Sequence, residues 1–265
     1  MNDHAPSTAM DTSRPHVARM YDYYLGGKDN FAVDREAVLA VEAAMPEVRQ
    51  LALENRAFLR RAVRFMVSAG IRQFVDIGAG LPTAGNTHEV AQKVAPDAHV
   101  VYVDNDPIVL AHGRALLATN GNTTVVTADL RRPAEVVDNA EVRALIDFDR
   151  PIGVLLIAMT HFLTVEEREP VMSTLRAAMA PGSFLAATHV TVDKHSAAAV
   201  AGVEAVYRRT PTPIFFRRHE EIALFFDGLE FVQPGLVTVD AWRPDPAEQT
   251  PVATGWLYGA VGRRA

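Results

Sequence analysis

The chain has 265 residues, a net charge of −6 and 49% hydrophobic residues, which is enough apolar material for a sizeable core in a single α/β domain. Because the balance is acidic, the sequence lacks the broad basic surface expected of a nucleic-acid-binding protein. It contains no cysteine, which excludes disulfides, zinc–thiolate sites and thiol nucleophiles.

Residues 1–13 are small and polar, and they predict a disordered tail rather than a secretory signal, which would need an apolar segment. No apolar run approaches the ~20 residues that span a bilayer. We therefore expect a cytoplasmic protein with no membrane or nucleic-acid partner and with a small-molecule substrate. A homodimer is left open.

Residues 14–70 predict a helical N-terminal cap or lid that forms one structural domain with the rest of the chain. Helices are predicted at 14–24, 34–45 and 47–69. The glycine pair at 26–27 ends the first helix and offers a hinge. Four residues around this hinge are candidate lid or substrate contacts: Tyr21, Tyr24, Gly27 and Asn30. The alternative is that this segment is an ordinary helical cap on the edge of a sheet.

Residues 71–265 predict the core domain. Short apolar runs alternate with helical stretches, which indicates a parallel sheet covered on both faces. The runs fall at 74–77, 100–103, 124–126, 154–157 and 183–187. Two longer strands, 232–242 and 254–261, are predicted to end the sheet in antiparallel fashion. The fold class is therefore α/β and Rossmann-like.

Polar residues follow the first three predicted strands, at the sheet edge where α/β folds bind ligands. Gly78 and Gly80 allow a tight turn and a close approach of the backbone to a ligand, although such a turn is weak evidence alone. Asp104, with Asn105 beside it, is placed to accept hydrogen bonds from ribose hydroxyls, whereas Asp106 is expected to cap the following helix.

The third strand is followed by Asp129 and Leu130, which could bond an adenine amino group and pack against its ring. Together with Asp76 and Asp104, they predict an adenosine-type ligand. Pro82 stands where a dinucleotide-binding turn needs its third glycine. The acidic residues also disfavour phosphates and suit a cationic amino group and a sulfonium, which favours S-adenosylmethionine over a nicotinamide dinucleotide.

The segments DIGAGLPT at 76–83 and DNDP at 104–107 resemble class I S-adenosylmethionine-dependent methyltransferases. Two further segments, YDYYLGGKDNF at 21–31 and NRAFLRRAVR at 55–64, resemble an actinobacterial family of such enzymes whose substrates are largely undefined.

The resemblance implies a seven-stranded sheet with its last strand antiparallel. It also implies methionine-moiety contacts at Asp76, Gly78 and Gly80, ribose contacts at Asp104 and Asn105, and adenine contacts at Asp129 and Leu130.

The segment that follows the predicted strand 154–157 should lie beside the methyl group. Ala158 is therefore counted with the cofactor residues, and His161 is the candidate general base. His189, after the next strand, is a weaker candidate. A second interpretation of His161 is that it orders its own loop through a backbone hydrogen bond. No His and carboxylate spacing suggests a metal, and none is expected.

The predicted function is methyl transfer from S-adenosylmethionine to a small-molecule hydroxyl or amine, with S-adenosylhomocysteine as the product. The alternatives are a non-catalytic S-adenosylmethionine-binding regulatory module and, less favoured, a nicotinamide-dependent oxidoreductase.

Overall fold

The computed structural model describes residues 12–82, 85–117, 121–245 and 253–265. The tail predicted at 1–13 lies outside these ranges except for Thr12 and Ser13. Thr83 of the glycine segment also lies outside them.

Three helices form the N-terminal part: α1 (Val17–Tyr24), α2 (Ala32–Ala44) and α3 (Val48–Ser68). All three predicted helices are confirmed. The first begins three residues later than predicted, since Pro15 disfavours helical backbone at Arg14. Helix α3 buries an apolar face that includes Phe58 and Met66, both fully inaccessible to solvent.

Among the described residues, eight strands form one sheet. They are β1 (Gln73–Ile77), β2 (His99–Asp104), β3 (Thr123–Thr127), β4 (Gly153–Leu156), β5 (Phe184–Val190), β6 (Glu230–Phe231), β7 (Val237–Thr238) and β8 (Leu257–Arg263). The helices among them are α4 (Thr87–Val94), α5 (Pro107–Leu117), α6 (Ala134–Val137), α7 (Ala140–Leu145), α8 (Val165–Ala178), α9 (Ala197–Tyr207) and α10 (His219–Ala223).

The sheet order is β3-β2-β1-β4-β5-β8-β6, with β7 also paired to β8. The first five strands in this order are parallel, and β8 runs antiparallel to β5. The central strands are buried along nearly their whole length, which is why they appear in the sequence as continuous apolar runs. The predicted mostly parallel sheet with an antiparallel final strand is confirmed.

The long strand predicted at 232–242 is wrong. The two-residue strands β6 and β7 stand in this region, and a turn lies between them. Pro234 has no N–H to donate to a ladder, and Gly235 adopts a left-handed φ of +92° that redirects the chain. In the part of the chain that the structure describes, the sheet therefore has eight strands, two of them very short, rather than seven.

Alternate residues of the strands face two separate cores. Phe74 of β1 packs in the core that contains α1, α2, α3 and α9, whereas Val75 packs in the core that contains α7 and α8. The strand order reverses between β1 and β4, and ligands bind at such a reversal, outside the carboxyl ends of the strands. Within the described ranges, no helix is both long enough and apolar enough to cross a bilayer.

Candidate cofactor and substrate site

The turn after β1 is tied to the end of β2. The N–H groups of Gly78 and Ala79 donate to the carbonyl oxygen of Val103, over 2.7 and 3.2 Å. Gly78 and Gly80 both adopt left-handed φ values, +77° and +65°. A Cβ atom at Gly78 would lie 2.0 Å from the sulfur of Met159. Glycine is therefore required where this turn meets the loop that follows β4.

Asp76 lies at this turn with only 5% of its surface exposed. Its Oδ2 accepts a 2.6 Å hydrogen bond from the Thr87 hydroxyl. Burial raises the pKa of Asp76 to about 6, although the hydrogen bond from Thr87 and the charge of Arg56 oppose the rise. A cationic ligand beside this carboxylate would therefore favour its ionised form and lower its pKa.

Asp104 ends β2 and orders two backbone segments. Its Oδ1 accepts the N–H of Asp106, and its Oδ2 accepts the N–H of Gly80, both over 2.9 Å. Burial raises the pKa of Asp104. Each carboxylate oxygen can accept a second hydrogen bond, so the group can still receive a donor from a ligand. Asp106 accepts the N–H of Ile108 over 2.8 Å and caps α5, as predicted.

Asp129 follows β3 and has a charged partner that the sequence did not predict. Nε and one terminal nitrogen of Arg131 donate to its two oxygens over 3.0 and 2.6 Å. Partial burial raises the pKa of Asp129, but the hydrogen bonds from Arg131 outweigh this effect and hold the pKa below its usual value. Asn105 donates to the same carboxylate over 3.4 Å, and Leu130 beside it is buried.

One cavity brings these groups together. It contains about 1440 Å³ of space free of atoms, including its opening to solvent. Every predicted cofactor residue lines it: Asp76, Gly78, Gly80, Asp104, Asn105, Asp129, Leu130 and Ala158. His161, Tyr21 and Tyr24 line the same cavity.

His161 lies in a short 3-10 turn (Thr160–Phe162) after β4 and is 4% exposed. Its ring packs against Phe162 with 4.4 Å between ring centres, and its buried Nδ1 atom has no hydrogen-bond partner. Burial, reinforced by the charge of Arg217, lowers the pKa of His161 to about 3. The imidazole is therefore neutral at physiological pH.

His189, the weaker catalytic candidate, is held within the protein. Its Nδ1 lies 2.7 Å from the carbonyl oxygen of Val190, and its Nε2 lies 2.8 Å from Arg217 Nη1. Arg217 also donates to the carbonyl oxygen of Leu163 over 2.6 Å. Both ring nitrogens are engaged, and His189 is not among the residues that line the cavity.

Helix α1 covers the cavity from one end to the other. His16, just before the helix, contacts Asp106 over 2.9 Å beside β2. At the other end, the Tyr24 and Tyr207 hydroxyls lie 3.4 Å apart. Val17, Tyr21 and Tyr24 recur at helical spacing and line the cavity together.

Gly27 and Asn30 lie outside the cavity lining, and both belong to a loop organised by Asp22. Asn30 Nδ2 donates to Asp22 Oδ2 over 2.8 Å and to the Gly27 carbonyl oxygen over 3.1 Å. A Cβ atom at Gly27 would lie 1.9 Å from Asp22 Oδ1. These two residues shape the connection between α1 and α2.

The structure adds cavity residues that were not predicted as site residues. Asn55 and Tyr207 are the polar ones that matter most, from α3 and α9. Asn55 had a detectable signal, because it falls on the apolar face of α3 between Leu51 and Phe58. Tyr207 had none, since only the packing of α9 brings it to the cavity. Among the described residues, no cluster of His, Asp and Glu side chains could hold a metal ion.

The strand order, the glycine turn after β1 and the carboxylates after β1, β2 and β3 define a Rossmann-like fold of the methyltransferase class. The chain belongs to the S-adenosyl methyltransferase family, whose model matches residues 3–265. The resemblance drawn from the sequence is therefore confirmed.

Two similar solved structures come from actinobacteria. One is a candidate methyltransferase from Thermobifida fusca YX, with a TM-score of 0.90 and 42% identity over 98% of this chain and 99% of that chain. The other is a DUF574 family protein from Streptomyces avermitilis, with a TM-score of 0.91 and 40% identity over 97% of this chain and 100% of that chain.

Human N-acetylserotonin methyltransferase, solved in complex with S-adenosylmethionine, shares the fold alone. Its TM-score is 0.51 at 11% identity, over 92% of this chain and 62% of that chain. The comparison with curated proteins finds no match.

Proposed function

We propose that this methyltransferase moves a methyl group from S-adenosylmethionine to a hydroxyl or amine of a small molecule by in-line displacement. The supporting observation is that the glycine turn and three carboxylates, Asp76, Asp104 and Asp129, open into the same cavity as a mostly apolar wall. The charged part suits the cofactor, and the apolar part suits a separate small acceptor.

The residues around the glycine turn fit S-adenosylmethionine. Space is open where a Cβ atom would stand at Gly80, so the backbone can approach a ligand closely. The raised pKa of Asp76 reflects a buried carboxylate whose charge a ligand ammonium would balance. Asp104 retains acceptor capacity for ribose hydroxyls, and Leu130 offers an apolar surface to adenine.

When bound, S-adenosylmethionine supplies a methyl group that its sulfonium already activates. The protein therefore has mainly to orient the two reactants and exclude water. Holding reactants in line can contribute ~7–11 kcal/mol. In this proposal α1 is the lid, because it spans the cavity from Asp106 to Tyr207.

His161 is proposed to hold the acceptor's nucleophilic group as a neutral hydrogen-bond acceptor. With a pKa of about 3, it is a poor base toward a free hydroxyl or ammonium. A hydroxyl that has gained a methyl group is strongly acidic, however, so even a weakly basic imidazole can take its proton late in the reaction. His161 thus receives the proton at a ring nitrogen after the new bond has largely formed.

The test is transfer of label from methyl-labelled S-adenosylmethionine to a broad library of hydroxyl and amine compounds. We expect a labelled product in the small-molecule fraction and S-adenosylhomocysteine in equal amount. Calorimetry with S-adenosylmethionine and with NAD is run beside it. Cofactor binding without transfer to any compound would contradict the proposed acceptor class, and micromolar binding of NAD alone would contradict the cofactor.

A further inference from the structure

The cavity has an inner half that lies away from the strand-end carboxylates. The cofactor residues follow β1, β2 and β3, on one side of the strand-order reversal, whereas the inner half lies toward β4, β5 and β8. Its walls come from α1, α2, α3, α9 and the loop 212–216. The inner half is therefore distinct from the part that suits S-adenosylmethionine.

A row of five rings forms one side of this inner half, and we call it the aromatic wall: Tyr21, Tyr24, Tyr207, Phe162 and His161. Ring centres are 6.4 Å apart for Tyr21 and Tyr24, 6.3 Å for Phe162 and Tyr207, and 4.4 Å for His161 and Phe162. Tyr24 and Tyr207 meet through their hydroxyl groups, which lie 3.4 Å apart. The wall thus runs without a gap from the lid helix to the loop after β4.

Most other side chains of the inner half are aliphatic. Its lining includes Val41, Met45, Leu51, Leu59, Val203 and Leu257. Arg56 of α3 also lines the cavity, but its guanidinium donates to the Gly85 carbonyl oxygen over 3.0 Å, near the start of α4, and its charge acts on Asp76, so we assign it to the cofactor side. The other described residues that line the inner half carry no formal charge at neutral pH, since His161 is held neutral. An ionised substrate would lose its hydration here and gain no countercharge.

Asn55 is a polar residue of this half, and one of its atoms has no hydrogen-bond partner. Its side chain is fully buried and lines the cavity. Its Nδ2 donates to the Tyr21 hydroxyl over 2.9 Å, and that hydroxyl in turn donates to the Ala52 carbonyl oxygen over 3.3 Å. In this arrangement the amide nitrogen of Asn55 faces Tyr21. The buried Oδ1 is left without a hydrogen bond, which is a costly state for a buried acceptor.

We propose that the acceptor substrate is an uncharged aromatic molecule that stacks on the aromatic wall and donates an N–H or O–H hydrogen bond to Asn55 Oδ1. This inference rests on the proposed function, since it names the class of molecule that the methyltransferase modifies. Asn55 is a specificity-determining residue in this account, and it touches the substrate at an anchoring group. Aromatic rings favour one another in stacked or edge-to-face pairs, which the wall offers along its length.

Three matched probes test the proposal on the protein loaded with S-adenosylhomocysteine. They are 2-naphthol, which has a hydroxyl donor, 2-methoxynaphthalene, which lacks it, and 2-naphthoate, which carries a negative charge. Affinities are measured by calorimetry. We expect 2-naphthol to bind about tenfold more tightly than the ether, the scale of one neutral hydrogen bond, and 2-naphthoate to bind most weakly.

Two variants separate the hydrogen bond from general packing. Asn55→Leu removes the acceptor at similar size, and we expect it to bring the ratio of naphthol to ether affinity close to one. Tyr23→Phe is the control, because Tyr23 lies on the same helix as Tyr21 but is not among the residues that line the cavity, and it should keep the preference. Affinity for S-adenosylhomocysteine should stay unchanged in both variants.

The order of the three probes on the wild-type protein is decisive even if a variant fails to fold. Equal affinity for naphthol and ether, preference for the ether, tightest binding of 2-naphthoate, or no binding of any probe would overturn the proposal. These outcomes are distinct from failure of the proposed function, which would appear as loss of S-adenosylhomocysteine binding or of methyl transfer.

Discussion

The two halves of the cavity are built on different physical principles. The half beside β1, β2 and β3 presents carboxylates and left-handed glycines on short loops. The inner half presents rings and aliphatic side chains from helices that lie far apart in sequence. The first half is polar and suits a charged ligand, whereas the second is mostly apolar, and we propose that it takes an acceptor recognised by shape and one hydrogen bond.

This contrast also explains which features the sequence could predict. Asp76, Asp104 and Asp129 each lie at or just beyond the carboxyl end of a strand. Parallel strands bring these ends to one edge of the sheet, so the chain order alone indicated their convergence. The inner half depends on how α1, α2, α3 and α9 pack over the sheet. No local pattern states that Tyr207 will meet Tyr24, 183 residues away along the chain.

Two places show why the rest was harder to predict. Residues 232–242 have strand-like composition, but Pro234 and Gly235 break the ladder locally. Gly27 and Asn30 are turn-forming residues that follow α1, and the sequence could not show that Asp22 would contact both in this loop. Turn residues with a structural role and turn residues that bind a ligand have the same composition.

The largest expected effect is the loss of cofactor affinity in Asp104→Ala, which changes the cofactor half alone. It removes a proposed ribose acceptor and also frees the N–H of Gly80 from its 2.9 Å bond. We expect affinity for S-adenosylhomocysteine to fall about 100-fold, the scale of losing charge-assisted hydrogen bonds worth about 2–3 kcal/mol. Calorimetry gives the value, and Asp97→Ala, an exposed carboxylate, is the control. Unchanged affinity in a folded Asp104→Ala protein would show that the ribose assignment is wrong.

The next effect concerns His161, where the two halves meet. His161→Phe should lower kcat about ten- to 100-fold at unchanged cofactor affinity, whereas His161→Gln, which keeps a neutral acceptor, should retain more activity. Because the pKa of His161 is about 3, kcat at saturating substrates should show no acid limb from this residue between about pH 5 and 8. An acid limb near pH 6.5 that disappears in His161→Gln would instead identify His161 as a general base, at roughly the ordinary pKa of a histidine.

A third prediction concerns the cofactor half and the way in which its affinity for the cofactor depends on pH through Asp76. A cationic ligand favours the ionised form of Asp76, so its pKa in the complex lies below the value of about 6 in the free protein. Affinity for S-adenosylhomocysteine should therefore be constant above about pH 7 and decline below about pH 6, by at most about tenfold per pH unit for this one proton. Asp104, whose pKa burial also raises, adds to the decline.

The contribution of Asp76 to the stability of the free protein has the opposite pH dependence to its contribution to binding. Because its folded pKa exceeds the ordinary value for an aspartate, Asp76 favours the folded state most below about pH 4, and this contribution is lost as the pH rises through about 6. Calorimetric proton release at about pH 6 measures the linkage to binding. Proton release as large in Asp76→Asn as in the wild type would rule out Asp76 as its source.

The smallest effect concerns α1, which joins the two halves. Tyr24→Phe removes a hydroxyl that lies 3.4 Å from Tyr207, at the limit of a hydrogen bond. We expect the free energy of unfolding in urea to fall by about 1 kcal/mol. Tyr23→Phe is the control, since Tyr23 is not among the residues that line the cavity. A loss of several kcal/mol, or an equal loss in the control, would mean that this contact is not what ties α1 to α9.

A crystal structure of the protein with S-adenosylhomocysteine tests the central claim most directly. We expect ribose hydroxyls at hydrogen-bond distance from Asp104, within about 2.6–3.2 Å, and the adenine ring against Leu130. The inner half, bounded by the aromatic wall, should remain free of cofactor. S-adenosylhomocysteine bound in the inner half, or bound without contact to Asp104, would contradict the division of the cavity into a charged cofactor half and a neutral acceptor half.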